Sequence, residues 1–219
     1  MAKAKKDTAP KQDPTAATQL GLKAKDLVTL YATQLTGRIA PTLVGILAAD
    51  LIAVGTVVPA AKTAKAGSKQ ATVAQGSVLD IAYNSVTAVR TAVSRKRPAK
   101  DVSAAYGVGS KTRKTTVKDV KSALQIIVAR ATAQPAEAAS FGIVPADLTA
   151  FQAQIVAVDT ADQTQEKARA SAPLSTKARN TTLRRILDAV DSIAGAGILA
   201  FANSPTERAS FEALIKKAK

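Results

Sequence analysis

The sequence contains no cysteine, no histidine and no tryptophan, and its 219 residues include only three tyrosines and four phenylalanines. Without cysteine the chain can form no disulfide and perform no thiol chemistry, although such a chain is compatible with any compartment. Without histidine it lacks the commonest general base and the commonest metal ligand. Zinc sites and Ser-His-Asp or Cys-His catalytic sites are therefore excluded, and only carboxylate or lysine chemistry remains for an enzyme.

Alanine dominates the hydrophobic residues, which make up 47% of the chain. Alanine is the best helix former because it loses no side-chain entropy when the backbone is ordered. Apolar residues recur at helical spacing, most clearly at Leu183, Ile186, Val190 and Ile193, and no run alternates with the period of a strand. The sequence therefore predicts an all-α fold, an antiparallel, alanine-rich bundle of six or seven helices.

Proline, glycine and capping residues set the expected helix ends. Pro98 should end one helix, Thr116-x-x-Asp119 resembles a capping box that opens the next, and Pro145 and Ser204-Pro205 mark two further helix starts. We expect non-helical connections in the following segments, which are rich in small and polar residues or contain proline or glycine: 62–76, 100–113, 136–144 and 171–175.

The most apolar stretch is the segment from Ile39 to Ala60, which is long enough to cross a bilayer. Asp50 lies at its middle, and Pro41, Gly45, Gly55 and Pro59 interrupt it, so a membrane span is disfavoured. We expect a buried core helix here instead. In that case the Asp50 carboxylate needs a partner, or it faces an edge of the bundle.

Residues 1–19 carry four lysines and two prolines and are expected to form a flexible basic arm, either solvated or ordered by an anionic partner. No apolar segment follows these lysines, so the arm is not a secretory signal and a cytoplasmic location is expected. Residues 20–219 are expected to form the helical bundle domain. An alternative is two subdomains that meet at the basic loop 98–114.

The formal net charge is +15, and residues 89–121 hold ten Lys or Arg against two Asp, which is +8 of that total. A charge of this size favours anionic partners, although it also serves solubility. Part of the cluster has a structural explanation, because cations in a last helical turn suit the helix dipole. The candidate anion-binding residues are Arg95, Lys96, Arg97, Lys100, Lys111, Arg113, Lys114, Lys118 and Lys121.

Two patterns resemble sites of chemistry. The run from Gly107 to Thr112 is glycine-containing and includes a lysine, but it lacks the full spacing of a nucleotide-binding loop and favours non-catalytic phosphate binding. Asp159, Asp162 and Glu166 share one helix face, but no histidine accompanies them. Pairing with Lys167, Arg169 or the basic cluster 177–185 is the favoured interpretation. Tyr106 is the one aromatic residue within the central basic loop.

The sequence therefore predicts a non-enzymatic helical protein that binds a polyanion, most plausibly the backbone of nucleic acid, without sequence specificity. The alternative is a structural or interaction subunit of a larger assembly, with protein partners or as a homo-oligomer. An enzyme using magnesium and phosphate ranks behind both. We expect no cofactor and no bound metal, and membrane contact is disfavoured.

Overall fold

A computed structural model of the protein describes residue 10 and residues 13–215. Within those residues the chain forms helices and no strand, so the predicted all-α class is confirmed. The described part contains eight helices, against the six or seven predicted. They are α1 (Pro14–Leu30), α2 (Ala32–Leu35), α3 (Pro41–Lys96), α4 (Lys100–Ala105), α5 (Val117–Ala133), α6 (Pro135–Ser140), α7 (Pro145–Ala200) and α8 (Pro205–Ile215).

Helix α1 begins inside the segment that was expected to be a flexible arm. The Asp13 carboxylate accepts a hydrogen bond from the Thr15 backbone N–H at 3.0 Å, and Pro14 occupies the first helical position. Both features are ordinary helix-start signals. Ala17 is fully buried, so residues 14–19 belong to the folded part of the chain. Residues 1–9, 11 and 12 of the expected arm lie outside the described residues.

Helix α3 runs through 56 residues and includes the segment 62–76 that was expected to be a connection. That expectation was wrong. Pro59 lies inside the helix and removes one backbone donor, at a cost of about 3 kcal/mol in a helix interior. The proline is exposed, and Val54 and Ala61 on either side of it are buried. Tertiary packing on both sides of Pro59 therefore supports the helix where local propensity does not.

Helix α7 also has 56 residues, and Pro173 lies within it. The turn expected at 171–175 was therefore wrong. The loop expected at 100–113 includes the short helix α4, and the turn expected at 136–144 includes α6. The helix starts at Pro145 and Pro205 are confirmed.

The predicted capping box at Thr116 and Asp119 places the start of α5 correctly at Val117, but its hydrogen bonds do not form. The Thr116 side chain makes no capping bond. The Asp119 carboxylate accepts from the Arg113 backbone N–H at 3.3 Å and from the Arg113 guanidinium at 2.7 Å. The Asp119 carboxylate therefore binds Arg113 instead of the backbone N–H group that it would accept from in a capping box.

The chain divides into two compact units. Unit 1 contains the described residues up to Lys65 and from Ser171 onwards, and unit 2 contains Ala66–Ala170. The basic loop 98–114, where two subdomains were expected to meet, lies entirely within unit 2. The boundaries fall inside α3 and α7 instead, because each of these helices contributes core residues to both units.

Unit 1 packs its core from α1, α3, α7 and α8, with Leu47, Ile186, Ile193 and Phe211 fully buried. The rings of Tyr31, Phe201 and Phe211 lie 4.8 to 5.8 Å apart, in the range of favourable aromatic pairs. Unit 2 packs a second core from α3, α5, α6 and α7. Its buried residues include Val86, Val93, Leu124, Ile127 and Val158.

Asp50 is buried in unit 1 and is paired, as its position in an apolar segment required. The Arg185 guanidinium donates two hydrogen bonds to its carboxylate, at 2.9 Å from Nε and 2.5 Å from Nη2. Such a bidentate pair satisfies both oxygens of a carboxylate that would otherwise be costly to bury. The sequence indicated that a buried Asp50 needs a partner, or an edge position, but did not identify Arg185 as that partner.

The segment 39–60 was expected to be a buried helix, and this was wrong for most of its surface. Leu47 and Val54 are buried, whereas Ile52 is 79% exposed and Ile46 is 49% exposed. Among the described helices, α3 alone is long and apolar enough to cross a membrane, with an 18-residue window of mean hydropathy 2.1 that is 17% buried. Length and composition do not distinguish a membrane span from an exposed helix face.

Gly197 provides a test of how closely the helices of unit 1 pack. A Cβ atom at this buried position would overlap the Phe211 ring. We expect Gly197→Ala to lower the free energy of unfolding by about 1–3 kcal/mol, as measured by urea denaturation.

Gly195 of the same helix is exposed, with open space around a Cβ atom. Gly195→Ala should therefore raise the free energy of unfolding by about 0.5–1 kcal/mol. Equal effects of the two substitutions would contradict this packing.

Candidate anion-binding groove

An open groove of about 610 Å³ lies in unit 2, between the last turns of α3 and the loop after α4. Three arginines and four hydroxyl-bearing side chains line it, and none of the lining residues carries a carboxylate. The lining residues are Tyr83, Thr87, Arg90, Thr91, Ser94, Arg95, Arg97, Val108 and Gly109. The groove is therefore a concave, positively charged surface with hydrogen-bond donors, which suits an anionic ligand.

Arg97 directs the chain away from α3 at the edge of the groove. Its φ is +49°, in the left-handed region, and its N–H donates to the Ser94 carbonyl at 3.1 Å. A helix commonly ends with such a residue, but glycine is strongly preferred there. For other residues the left-handed conformation costs about 1–2 kcal/mol. Strained backbone conformations of this kind are concentrated at functional sites. The left-handed Arg97 in a charged groove therefore favours a functional role for this residue.

Arg90 joins the helical wall of the groove to the loop. Its Nη1 donates to the Ser110 carbonyl at 3.1 Å and to the Thr112 hydroxyl at 2.8 Å. Gly107 has a φ of +71°, and a Cβ atom there would lie 2.7 Å from Arg90 Nη2. The left-handed backbone therefore favours glycine at this position, and an added Cβ atom would also displace the guanidinium.

The charge of Arg90 has no carboxylate partner among the described residues. Its Nε is buried without a hydrogen-bond partner. Burial lowers its pKa, because desolvation disfavours the charged form, while Tyr83 acts in the opposite direction. An arginine remains protonated at neutral pH despite such a shift. Arg90 therefore adds an uncompensated positive charge to the groove.

Three of the nine predicted anion-binding residues are held by carboxylates of unit 2. Arg113 Nε lies 2.7 Å from Asp119, Lys114 Nζ lies 3.1 Å from Asp80, and Lys121 Nζ lies 2.7 Å from Asp159. The hydrogen bond from Arg113 lowers the pKa of Asp119 and is the largest cause of that shift. Lys121 is half-buried in its contact with Asp159 of α7.

The other six predicted residues form no ion pair within the part of the chain that the structure describes. Arg95 and Arg97 line the groove. The remaining four are exposed but are not lining residues: Lys96, Lys100, Lys111 and Lys118. The structure therefore separates the predicted cluster into two groove residues, four exposed cations near them in sequence, and three cations that are paired.

Five groove residues were not predicted from the sequence: Tyr83, Thr87, Arg90, Thr91 and Ser94. A signal was present, since positions 83, 87, 90 and 94 recur at the spacing of one helix face. The same stretch carries an apolar face at Val86, Val89 and Val93, which by itself accounts for a helix that packs on a core. Nothing in the sequence indicated that the loop from residue 107 would lie against this second face.

Tyr106 does not belong to the exposed basic surface. Its side chain is fully buried, and its ring packs edge-on against Phe141 at 5.4 Å. Burial, with the nearby Glu137 carboxylate, raises its pKa to about 12. Its hydroxyl makes no hydrogen bond of standard geometry. Tyr106 therefore anchors the loop in the core of unit 2 and offers no ring to a ligand.

The acidic face of α7 takes part in hydrogen bonds between helices. Asp159 accepts from Lys121 of α5, and Asp162 accepts from Gln75 of α3 at 2.7 Å. Glu166 is exposed. Within the described residues no three acidic side chains are grouped as metal ligands. The pairing expected for Asp159, with Lys167, Arg169 or the cluster 177–185, was wrong because Lys121 of α5 binds its carboxylate.

Comparison with known proteins adds no functional information. No family model matches the chain, no curated protein matches its sequence, and no solved structure matches its fold.

The strain at Arg97 can be measured. Arg97→Gly removes a side chain from a left-handed position that glycine adopts freely, so we expect the melting temperature to rise by about 2–4 °C. Arg95→Gly is the matched control, because it removes the same charge from a helical position. There glycine should lower the melting temperature, by about 2–4 °C. Calorimetry of the three proteins measures both shifts, and a destabilised Arg97→Gly variant would contradict the account of strain.

Proposed function

We propose that this protein is a non-enzymatic helical protein that binds the backbone of nucleic acid through unit 2, without sequence specificity. One observation carries the proposal: Arg90, Arg95 and Arg97 line one open groove that contains no carboxylate. Binding of a polyanion depends on the positive charge of that groove.

The charge balance supports an anionic partner. The chain carries 31 basic and 16 acidic residues, so about half of the cations have no carboxylate available to them. A protein that neutralises phosphates with these cations releases condensed counterions, and this release drives binding at low salt. Lysine and arginine contacts to phosphate fix position but carry no sequence information.

The ion pairs indicate which residues contribute most. Arg113, Lys114 and Lys121 each have a carboxylate partner, so binding a phosphate through them must compete with that interaction. The cations without a carboxylate can bind phosphate directly. We therefore assign the main contacts to Arg95 and Arg97, together with the following exposed lysines: Lys96, Lys100, Lys111 and Lys118.

A second candidate function is that of a subunit in a larger protein assembly. The observation that favours it is the apolar window of α3, of which only 17% is buried. Ile46 and Ile52 are exposed within this part of the helix. Exposed apolar surface of this kind commonly marks an interaction site. The two functions are compatible, because the groove and the apolar segment belong to different units.

The assembly candidate makes its own prediction. We expect the wild-type mass measured by light scattering to increase with protein concentration, and Ile52→Gln to reduce this increase because it places a polar group on the apolar face. Val73→Gln, which alters an exposed residue of the same helix in unit 2, is the control. A wild-type protein that stays monomeric at every concentration would remove the assembly candidate.

The nucleic-acid proposal is tested by the salt dependence of binding. We expect the wild-type protein to bind DNA at low salt, with an affinity that falls as salt is raised. Changing Arg95, Lys96 and Arg97 together to Gln should reduce the slope of log affinity against log salt by about 2–3, since each phosphate contact contributes about 0.9. Fluorescence anisotropy with a labelled oligonucleotide measures this slope.

The matched control removes three charges from the same helix away from the groove. Lys62, Lys65 and Lys69 are exposed residues of α3 and do not line the groove. Changing all three to Gln should leave the slope nearly unchanged. Equal losses in the two triple variants would indicate binding by net charge alone, and no binding by the wild type at low salt would overturn the proposal.

A further inference from the structure

The groove contains an aromatic side chain as well as cations. Tyr83 lines it and is half-buried, so one part of the side chain packs on the core of unit 2 while another part lies at the groove. Val108 adds an apolar lining residue. A groove for phosphate alone needs neither, because a phosphate group has no apolar surface to cover.

The lining residues on α3 run along the helix in a fixed order. Tyr83 and Arg95 are twelve residues apart, which corresponds to about 18 Å along the helix axis. Thr91 and Ser94 lie between them and are exposed, and their hydroxyls form no hydrogen bond within the described residues. The groove therefore presents a ring, then free hydroxyls, then two arginines, over a distance that a few nucleotides span.

This order of chemistry matches a single strand better than a duplex. In a duplex the bases are stacked on one another, and their flat faces are closed to a protein side chain. In a single strand each base can stack on an aromatic ring, while a positively charged groove follows the backbone.

We propose that this groove binds a short segment of single-stranded nucleic acid in preference to duplex, with a base against Tyr83 and phosphates on Arg95 and Arg97. This inference rests on the proposed nucleic-acid function and makes it more specific. Arg90 holds the loop that closes one side of the groove, and the Thr91 and Ser94 hydroxyls donate hydrogen bonds to the backbone between the two ends.

The left-handed Arg97 acquires a role in this arrangement. Glycine would fit its backbone conformation better but would remove one of the two arginines at the phosphate end of the groove. In this arrangement the backbone strain at Arg97 is the cost of keeping a phosphate-binding arginine at that position. Arg97→Gly should therefore weaken binding of a single strand several-fold while leaving the fold at least as stable as in the wild type.

Three labelled oligonucleotides of equal length test the inference by fluorescence anisotropy at one salt concentration. They are a single strand of mixed sequence, the corresponding duplex, and a single strand with abasic sites that keeps the phosphates and lacks the bases. We expect the wild-type protein to bind the mixed single strand most tightly. The abasic strand should bind about tenfold more weakly, since stacking on one aromatic ring contributes on that order.

Tyr83→Leu and Tyr83→Phe separate the ring from the rest of the side chain. Leucine keeps an apolar contact with the core but cannot stack, so this variant should lose about tenfold in affinity for the mixed strand and little for the abasic strand. Phenylalanine keeps the ring and should bind like the wild type. Thermal melting of each variant checks that the fold is retained.

The outcomes distinguish this inference from the proposed function. Equal binding of single strand and duplex, equal binding of the mixed and abasic strands, or an unaffected Tyr83→Leu variant would overturn the single-strand inference and leave backbone binding in place. Absence of binding to all three oligonucleotides at low salt would overturn the proposed function itself. Preference for the mixed strand that Tyr83→Leu removes supports both.

Discussion

The close approach of helices through small side chains is the constraint on which the structure of unit 1 depends. With few aromatic residues and much alanine, a core of normal density is reached only if the helix backbones come near one another. Gly197 shows this in unit 1, where the Phe211 ring occupies the space of a side chain. Gly21 shows it again, with Leu51 and Ile186 against its backbone. Burial on both sides of Pro59 also explains why α3 continues through a residue that removes a hydrogen bond.

The second constraint is the excess of cations over carboxylates. In the folded chain several carboxylates form ion pairs with cations: Asp50 with Arg185, Asp159 with Lys121, and Asp119 with Arg113. These pairs leave the groove at the end of α3 with arginines and no carboxylate. A surface ion pair contributes little to stability, so these pairs matter mainly because they determine which cations remain without a carboxylate partner. That remaining charge is the physical basis of the proposed anion binding.

The groove is also where local sequence preference and structure disagree. Arg97 adopts a conformation that favours glycine, and Arg90 has a buried Nε without a partner. Natural proteins are locally consistent over most of their length, and departures from consistency concentrate at functional positions. In this protein Pro59 and Pro173 lie inside helices and do not line the groove, whereas the departures at Arg90 and Arg97 occur together on one groove that faces solvent. Their location supports a ligand-binding interpretation more strongly than the net charge does, because net charge alone is equally explained by solubility.

Three features could be predicted from the sequence: the helical class, the helix starts at Pro145 and Pro205, and the need of a buried Asp50 for a partner. Helix propensity, capping and the cost of burying a charge act over a few residues, so the local sequence is enough to predict them. The sequence also identified Arg95 and Arg97 as candidate anion-binding residues. Only the tertiary structure decided that α3 and α7 continue through Pro59 and Pro173, that Tyr106 is buried, and that Tyr83 and Arg90 line the groove with Arg95 and Arg97. These features depend on contacts between residues far apart in the chain, such as Arg185 with Asp50 or Arg90 with Ser110. The free energy of such contacts appears only when the helices pack, so no local pattern records it.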